Sequence, residues 1–85
     1  MIMKQVLKVE WIDSCASDMN WVFAEDLSLS PIRIVSFGVL VSETDDYVSL
    51  AQNYGMNPKQ YCNIMTIPKG CIAKRVVLCE VEDCE

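Results

Sequence analysis

Residues 32–52, IRIVSFGVLVSETDDYVSLAQ, decide the fold. Val35, Phe37, Val39 and Val41 recur at period two, the spacing that places side chains on one face of a strand. Val48 and Leu50 repeat that spacing further on. Between the two runs, Ser42, Glu43, Thr44, Asp45 and Asp46 carry turn chemistry, because Ser and Asp side chains bond their own backbone and favour reversal. The stretch reads as a β-hairpin with an acidic tip, and its apolar face calls for a core.

On the N-terminal side, residues 2–12 (IMKQVLKVEWI) alternate Leu7, Val9 and Trp11 with Lys8 and Glu10, which predicts a first strand. Asp13 and Ser14 end it in a turn. Residues 14–31 have no dominant period. A connection with one helical turn is expected there, with Asp18 placed to cap a short helix through Leu27 and Pro31 closing the segment. On the C-terminal side, Asn53, Gly55, Asn57 and Pro58 mark residues 53–59 as a loop. Residues 60–67 (QYCNIMTI) form a fourth strand, and Pro68, Lys69 and Gly70 a sharp turn. Residues 71–81 form the last strand, with one turn of 3₁₀ helix near Ile72. The acidic tail, residues 82–85, is expected to fray.

The fold class that follows is mostly β. One domain over residues 1–85 holds a small five-stranded, strongly bent sheet or partly open barrel with at most one short helical turn. A chain of this length buries a little over roughly 60% of its unfolded surface. Yet 52% of the residues are hydrophobic, so a homo-oligomer is expected to cover what the core cannot.

Charge and composition remove several functions. The formal net charge of −5 argues against a polyanion binder such as a DNA-binding protein, which needs a basic surface to displace counterions. The absence of histidine removes the commonest metal ligand and general base, and with it Ser-His-Asp and Cys-His nucleophiles. No catalytic residues, no metal site and no cofactor are expected. No apolar run approaches the roughly 18 to 20 residues of a membrane helix, and the N-terminus lacks the pattern of a signal peptide. A cytoplasmic protein with no membrane association is therefore expected. The five cysteines lack any CxxC pair and read as free thiols, with Cys62, Cys71 and Cys79 as small apolar residues of the core or an interface.

The order of motifs resembles the Sm-like family. Gly38 and Leu40 match its G-x-L, and Asp45, Val48, Ser49 and Leu50 stand where that family has Asp, Met, Asn and Leu. Residues 67–72, IPKGCI, are similar to its Ile-Arg-Gly motif, with Pro68 inserted. The resemblance covers the last two-thirds of the chain and implies an Sm-like or SH3-like barrel. It also implies RNA binding, although Ser49 replaces the Asn that contacts a base. The layout as a whole is similar to small bacteriophage proteins, carried by Val9, Glu10 and Trp11 with Asp13 and Ser14, then Trp21, Ser36 with Gly38 and Leu40, Asp45 and Asp46, Leu50 and Ala51, and Ile67 and Pro68 with Ile72. That resemblance implies phage origin and action in the host cytoplasm but no particular activity; by analogy, one role for a nucleotide binder there is sequestration of a host immune nucleotide signal.

The candidate ligand-binding residues are Trp21, Asp13, Ser14, Lys69, Gly70 and Arg75. Trp21 offers a face on which a base stacks, against the plainer reading that it covers the core. Asp13 and Ser14 bond a ligand or simply form a turn. Lys69 and Arg75, with Lys74, form the only basic cluster and flank a turn at Gly70 with free N–H groups, a setting for a phosphate or for solvated surface alone. Asp45 and Asp46 lack a third ligand and read as a solvated tip rather than a cation site. The expected function is a non-enzymatic oligomeric protein that holds a small nucleotide-type anion. The alternative is a protein-binding inhibitor or assembly factor, and an RNA-binding Sm-like role ranks below both.

Overall fold

The computed structural model describes residues 2–14, 21–27 and 30–83. Five antiparallel strands form one open sheet in the order β4-β3-β2-β1-β5: β1 (Met3–Asp13), β2 (Ile32–Glu43), β3 (Tyr47–Met56), β4 (Lys59–Pro68) and β5 (Ile72–Glu82). Two isolated 3₁₀ turns, Ala24–Asp26 and Lys69–Cys71, complete the described secondary structure. The mostly β architecture with five strands is as the alternation predicts, and it is compatible with a small barrel-like fold. Pairing registers shift between Val6 and Leu7 and between Glu10 and Trp11 in the β1–β5 ladder, and between Leu40 and Ser42 in the β2–β3 ladder. Such bulges add local twist and bend a sheet.

Two local expectations change. Residues 53–59 are not a loop: β3 runs on to Met56, β4 starts at Lys59, and Asn57 and Pro58, joined by a cis peptide, make the turn. Gly and Asn do not stop the strand because Asn53, Tyr54 and Gly55 pair with Cys62, Tyr61 and Gln60 across the hairpin. At the acidic tip the backbone is held by Thr44 rather than by Ser or Asp. Thr44 Oγ1 accepts the N–H groups of Asp46 (3.1 Å) and Tyr47 (3.2 Å). Asp45 and Asp46 are exposed.

The core lies on the other face of β2 from the one its valines suggest. In the β1–β2 ladder Leu7 is opposite Gly38, Val9 opposite Ser36 and Trp11 opposite Ile34, and this row faces inward. Val35 and Phe37 belong to the opposite row and are 47% and 56% exposed. Gly38 explains the choice. A Cβ there would stand 2.7 Å from the Ala51 carbonyl oxygen and 3.0 Å from Leu50 Cβ, so the crossing of β2 over β3 needs the one residue without a side chain. Since strand faces alternate, an inward Gly38 sends Phe37 and Val39 outward. The buried cluster is Leu7, Val9, Val48, Leu50 and Ile67, with Trp11, Leu40 and Ile72 packed against it. Buried Ser49 is satisfied by Thr66, hydroxyl to hydroxyl at 2.8 Å.

The described cysteines are free thiols as expected, but not core residues. Cys62 and Cys79 are exposed and Cys71 is half-buried, all three as free thiols, so none belongs to the aliphatic core. Cys15, Cys84 and Asp18 lie outside the described residues. The acidic end is tied down as far as Asp83, whose N–H donates to the Ile2 carbonyl at 2.9 Å. The Cα radius of gyration is 17.0 Å, against about 12 Å for a compact chain of this length. That extension leaves apolar surface uncovered, including Trp21, Phe23, Phe37 and Ile64. No described helix is long and apolar enough to cross a membrane.

Candidate functional site: the cleft where β2 and β3 part

β2 and β3 pair over only part of their lengths. The ladder runs from Val39 with Ala51 to Glu43 with Val48. Beyond Ala51, β3 pairs with β4 alone, and β2 before Gly38 pairs with β1 alone. The strands therefore fork, and one main-chain edge of residues 32–37 has no strand partner among the described residues. The fork holds a cleft of about 460 Å³ lined by Val35, Ser36, Phe37, Leu50, Gln52, Asn63, Ile64 and Met65. That volume falls within the range of about 300–1,000 Å³ typical of small-molecule sites.

The walls differ in chemistry. Phe37, Ile64 and Met65 supply exposed apolar surface. On the β3–β4 side, next to Ile64, Asn63 Nδ2 donates to Gln52 Oε1 at 3.3 Å, which leaves the Asn63 carbonyl and the Gln52 amine to meet a ligand. Asn63 has φ 58°, the left-handed region that Asn tolerates better than most residues. Behind the cleft, Ser36 accepts from Trp11 Nε1 at 3.0 Å and donates to Met65 Sδ at 3.6 Å, so the hydroxyl orients a wall and is not free. Arg33 lies on the same outward row of β2 as Phe37, about 13 Å away at ~3.3 Å per residue, and it is exposed and makes no ion pair among the described residues.

The residues singled out from sequence fall elsewhere. Lys69 and Arg75 do come together, but around Glu43. Their Nζ and Nη1 atoms stand 2.8 and 2.9 Å from the same oxygen, Glu43 Oε2. The Arg75 bond, then the Lys69 bond, pull the Glu43 carboxyl down from 4.5 to about 2. The Lys69 N–H also donates to the Asp46 carbonyl at 2.8 Å. This clasp ties the end of β2 and the acidic turn to the Lys69–Cys71 turn and to β5. Each cation gives one donor nitrogen to Glu43, and the carboxylate offsets part of the positive charge that a phosphate would meet here. Gly70 is exposed, with nothing within 4 Å of where its Cβ would be. Asp13, half-buried, ends β1 opposite Ile32, and Ser14 is exposed. Trp21 is 103% exposed and touches none of the others.

A second cluster pins the distal end of the β3–β4 hairpin. Tyr54 donates to Asp83, Lys59 stands 3.1 Å from the same carboxylate, and Lys4 stands 3.9 Å away. The Tyr54 and Tyr61 rings stack at 5.3 Å with Lys4 Nζ over both. The Tyr54 hydrogen bond, more than Lys59, holds the Asp83 carboxyl below the ordinary carboxylate range. These contacts hold the far wall of the fork in place.

Sequence reading missed the cleft because Gln52 and Asn63 look like ordinary strand residues, and Phe37 looks like core. The one available signal was Gly38, which sets the inward row. Among the described residues no group of three His, Cys, Asp or Glu side chains is placed to hold a metal. Compared with family models, curated proteins and solved structures, the chain matches none. The Sm-like and bacteriophage resemblances therefore rest on the quoted motifs alone.

Proposed function

We propose that the chain is a non-enzymatic binding protein that works as a homo-oligomer and holds a small anionic ligand of nucleotide type in the β2–β3 cleft. The observation that carries the reading is the juxtaposition of an exposed aromatic, Phe37, with the Gln52 and Asn63 amides in one concave site on the strand that also bears Arg33. A nucleobase needs those groups: a flat apolar face to stack on and a neighbouring donor and acceptor for its edge. Arg33 supplies the guanidinium for a phosphate. Binding of this kind without turnover sequesters its ligand, which agrees with the role drawn by analogy from the bacteriophage resemblance. The cleft is preferred over the Lys69 and Arg75 turn for the ligand because Glu43 already offsets much of the charge of those two cations.

The test is native mass spectrometry and calorimetry against a panel of mono-, di- and cyclic nucleotides. One class binds and is recovered intact, and Phe37→Ala weakens binding by about 1–3 kcal/mol while the fold persists. Failure of every nucleotide to bind, or its conversion to product, refutes the reading.

The alternative, a protein-binding role, is favoured by a different observation. β5 is an edge strand of the sheet on which Val76, Val77 and Leu78 are all exposed. Such an edge accepts a strand from another protein. Recovery of a defined 1:1 complex that survives Phe37→Ala but not a proline placed in β5 distinguishes it from the ligand reading.

A further inference from the structure

β5 pairs with β1 alone, and its other main-chain edge has no strand partner among the described residues. Every residue from 73 to 80 is exposed, with Val76, Val77 and Leu78 in the middle. A long apolar edge of this kind is a template for another strand.

The charges along β5 select the strand that fits. Lys74 and Arg75 stand near its start, Glu80 and Glu82 near its end. Lys74, Glu80 and Glu82 make no ion pair among the described residues. Arg75 gives Nη1 to Glu43 and has further N–H groups to offer. An antiparallel copy of the same strand brings the basic half of each against the acidic half of the other. A parallel copy sets like charge against like. β4, the other edge of the sheet, has no such complement. Its one charge is Lys59, already held by Asp83, and it carries no carboxylate for Lys74 or Arg75 to meet. Asn63, at φ 58°, also interrupts its extended backbone.

The register of β5 on β1 fixes which residues face each other. Val77 stands opposite Leu7 and Cys79 opposite Val6, so Leu78 is an extra residue with no partner on β1. On either side of it the faces alternate regularly. Arg75 and Glu80, opposite Val9 and Gln5, share one face, and Val76 and Cys79, opposite Lys8 and Val6, share the other. With Leu78 passed over, a two-fold axis at Val77 sets Val77 against its own copy, Val76 against Cys79 and Arg75 against Glu80, each pair on a common face.

We infer that two copies pair antiparallel through β5 about a two-fold axis at Val77, joining two five-stranded sheets into one. The same patch serves both copies, so the contact closes as a dimer and does not propagate. This inference rests on the homo-oligomer reading above and names its interface. None of the residues lining the β2–β3 cleft belongs to β5, so pairing and ligand binding are separable.

The experiment uses the residue that meets itself at the axis, in ligand-free protein. Val77→Arg and Val77→Glu each place two like charges at the centre, and an equimolar mixture of the two places opposite charges there. By sedimentation velocity and native mass spectrometry, wild type is a dimer, each variant alone associates roughly tenfold more weakly, and the mixture recovers a heterodimer. Val77 is exposed, so circular dichroism is expected to match wild type. Glu80→Arg, exposed and without an ion pair of its own to lose, turns both Arg75 contacts repulsive and weakens the dimer in the same way; it decides the matter if the Val77 variants lose the wild-type spectrum. Cys62→Arg, on β4, leaves the dimer unchanged. A monomeric wild type overturns the homo-oligomer reading and this inference together. An assembly that persists in the Val77 variants or in Glu80→Arg, a mixture that recovers no heterodimer, or an assembly that Cys62→Arg dissociates overturns the β5 contact alone and leaves the homo-oligomer reading standing.

Discussion

Glu43→Gln tests whether the Lys69 and Arg75 cluster is a clasp or a binding site. In wild type one carboxylate oxygen takes both cations, at 2.8 and 2.9 Å. The Glu43 carboxyl is held at about 2 rather than 4.5. Taken at face value, that displacement corresponds to ~3 kcal/mol at ~1.36 kcal/mol per unit. About a third of the Glu43 side chain is exposed to water, as are its partners, and solvated ion pairs contribute only about 0.2–1 kcal/mol each. The substitution therefore costs about 0.4–2 kcal/mol at pH 7, a drop in Tm of roughly 2–16 °C for a domain of this size.

The sign of the pH dependence is fixed by the direction of the shift. A carboxyl whose folded value lies below its unfolded value stabilises the fold above the unfolded value, and loses that contribution as pH falls through the folded one. The gap between wild type and Glu43→Gln is expected to be full above about pH 5 and to close between about pH 4.5 and 2. Thermal melts at several pH values in low and high salt measure it. A gap that stays constant down to pH 2, or no gap at pH 7, refutes the clasp. The same variant frees both cations, so affinity for an anionic ligand rises if the ligand sits there and stays unchanged if it sits in the β2–β3 cleft.

Other substitutions test the packing. Gly38→Ala forces a Cβ to within 2.7 Å of the Ala51 carbonyl and is expected to destabilise by about 1–3 kcal/mol in urea titrations. Ile67→Ala empties the fully buried centre of the core and costs about 2–5 kcal/mol. Trp11→Phe removes the donor to Ser36 and lowers stability by about 0.5–1.5 kcal/mol, with the wall at Met65 loosened as read by exchange broadening of its methyl resonance. Asp83→Asn weakens the anchoring by Tyr54 and Lys59, and faster amide exchange is expected across residues 53–61.

Alternation by itself determined the number of strands and their order along the chain. It also marked Leu7, Val9, Val48 and Leu50 correctly as core, because period two is a property of the strand itself and these four residues sit where strands pair on both sides. Turn chemistry placed the reversal at residues 42–46 and the bend at Pro68. The absence of histidine and the charge of −5 narrowed the chemistry before any coordinate was known.

Three matters were decided by tertiary structure. Which face of β2 points inward depends on the close approach of Ala51 to Gly38, a contact between strands that no period within β2 contains. Whether Lys69 and Arg75 are free depends on Glu43, 26 and 32 residues away in sequence, and bent strands bring the three together. The cleft exists because β2 and β3 part beyond Val39 and Ala51, and hydrophobic spacing is the same in a strand whether its edge is paired or open. The central hairpin is thus legible in the residues, while its apolar outer row, read in one dimension as core, becomes in three dimensions the wall of the candidate site.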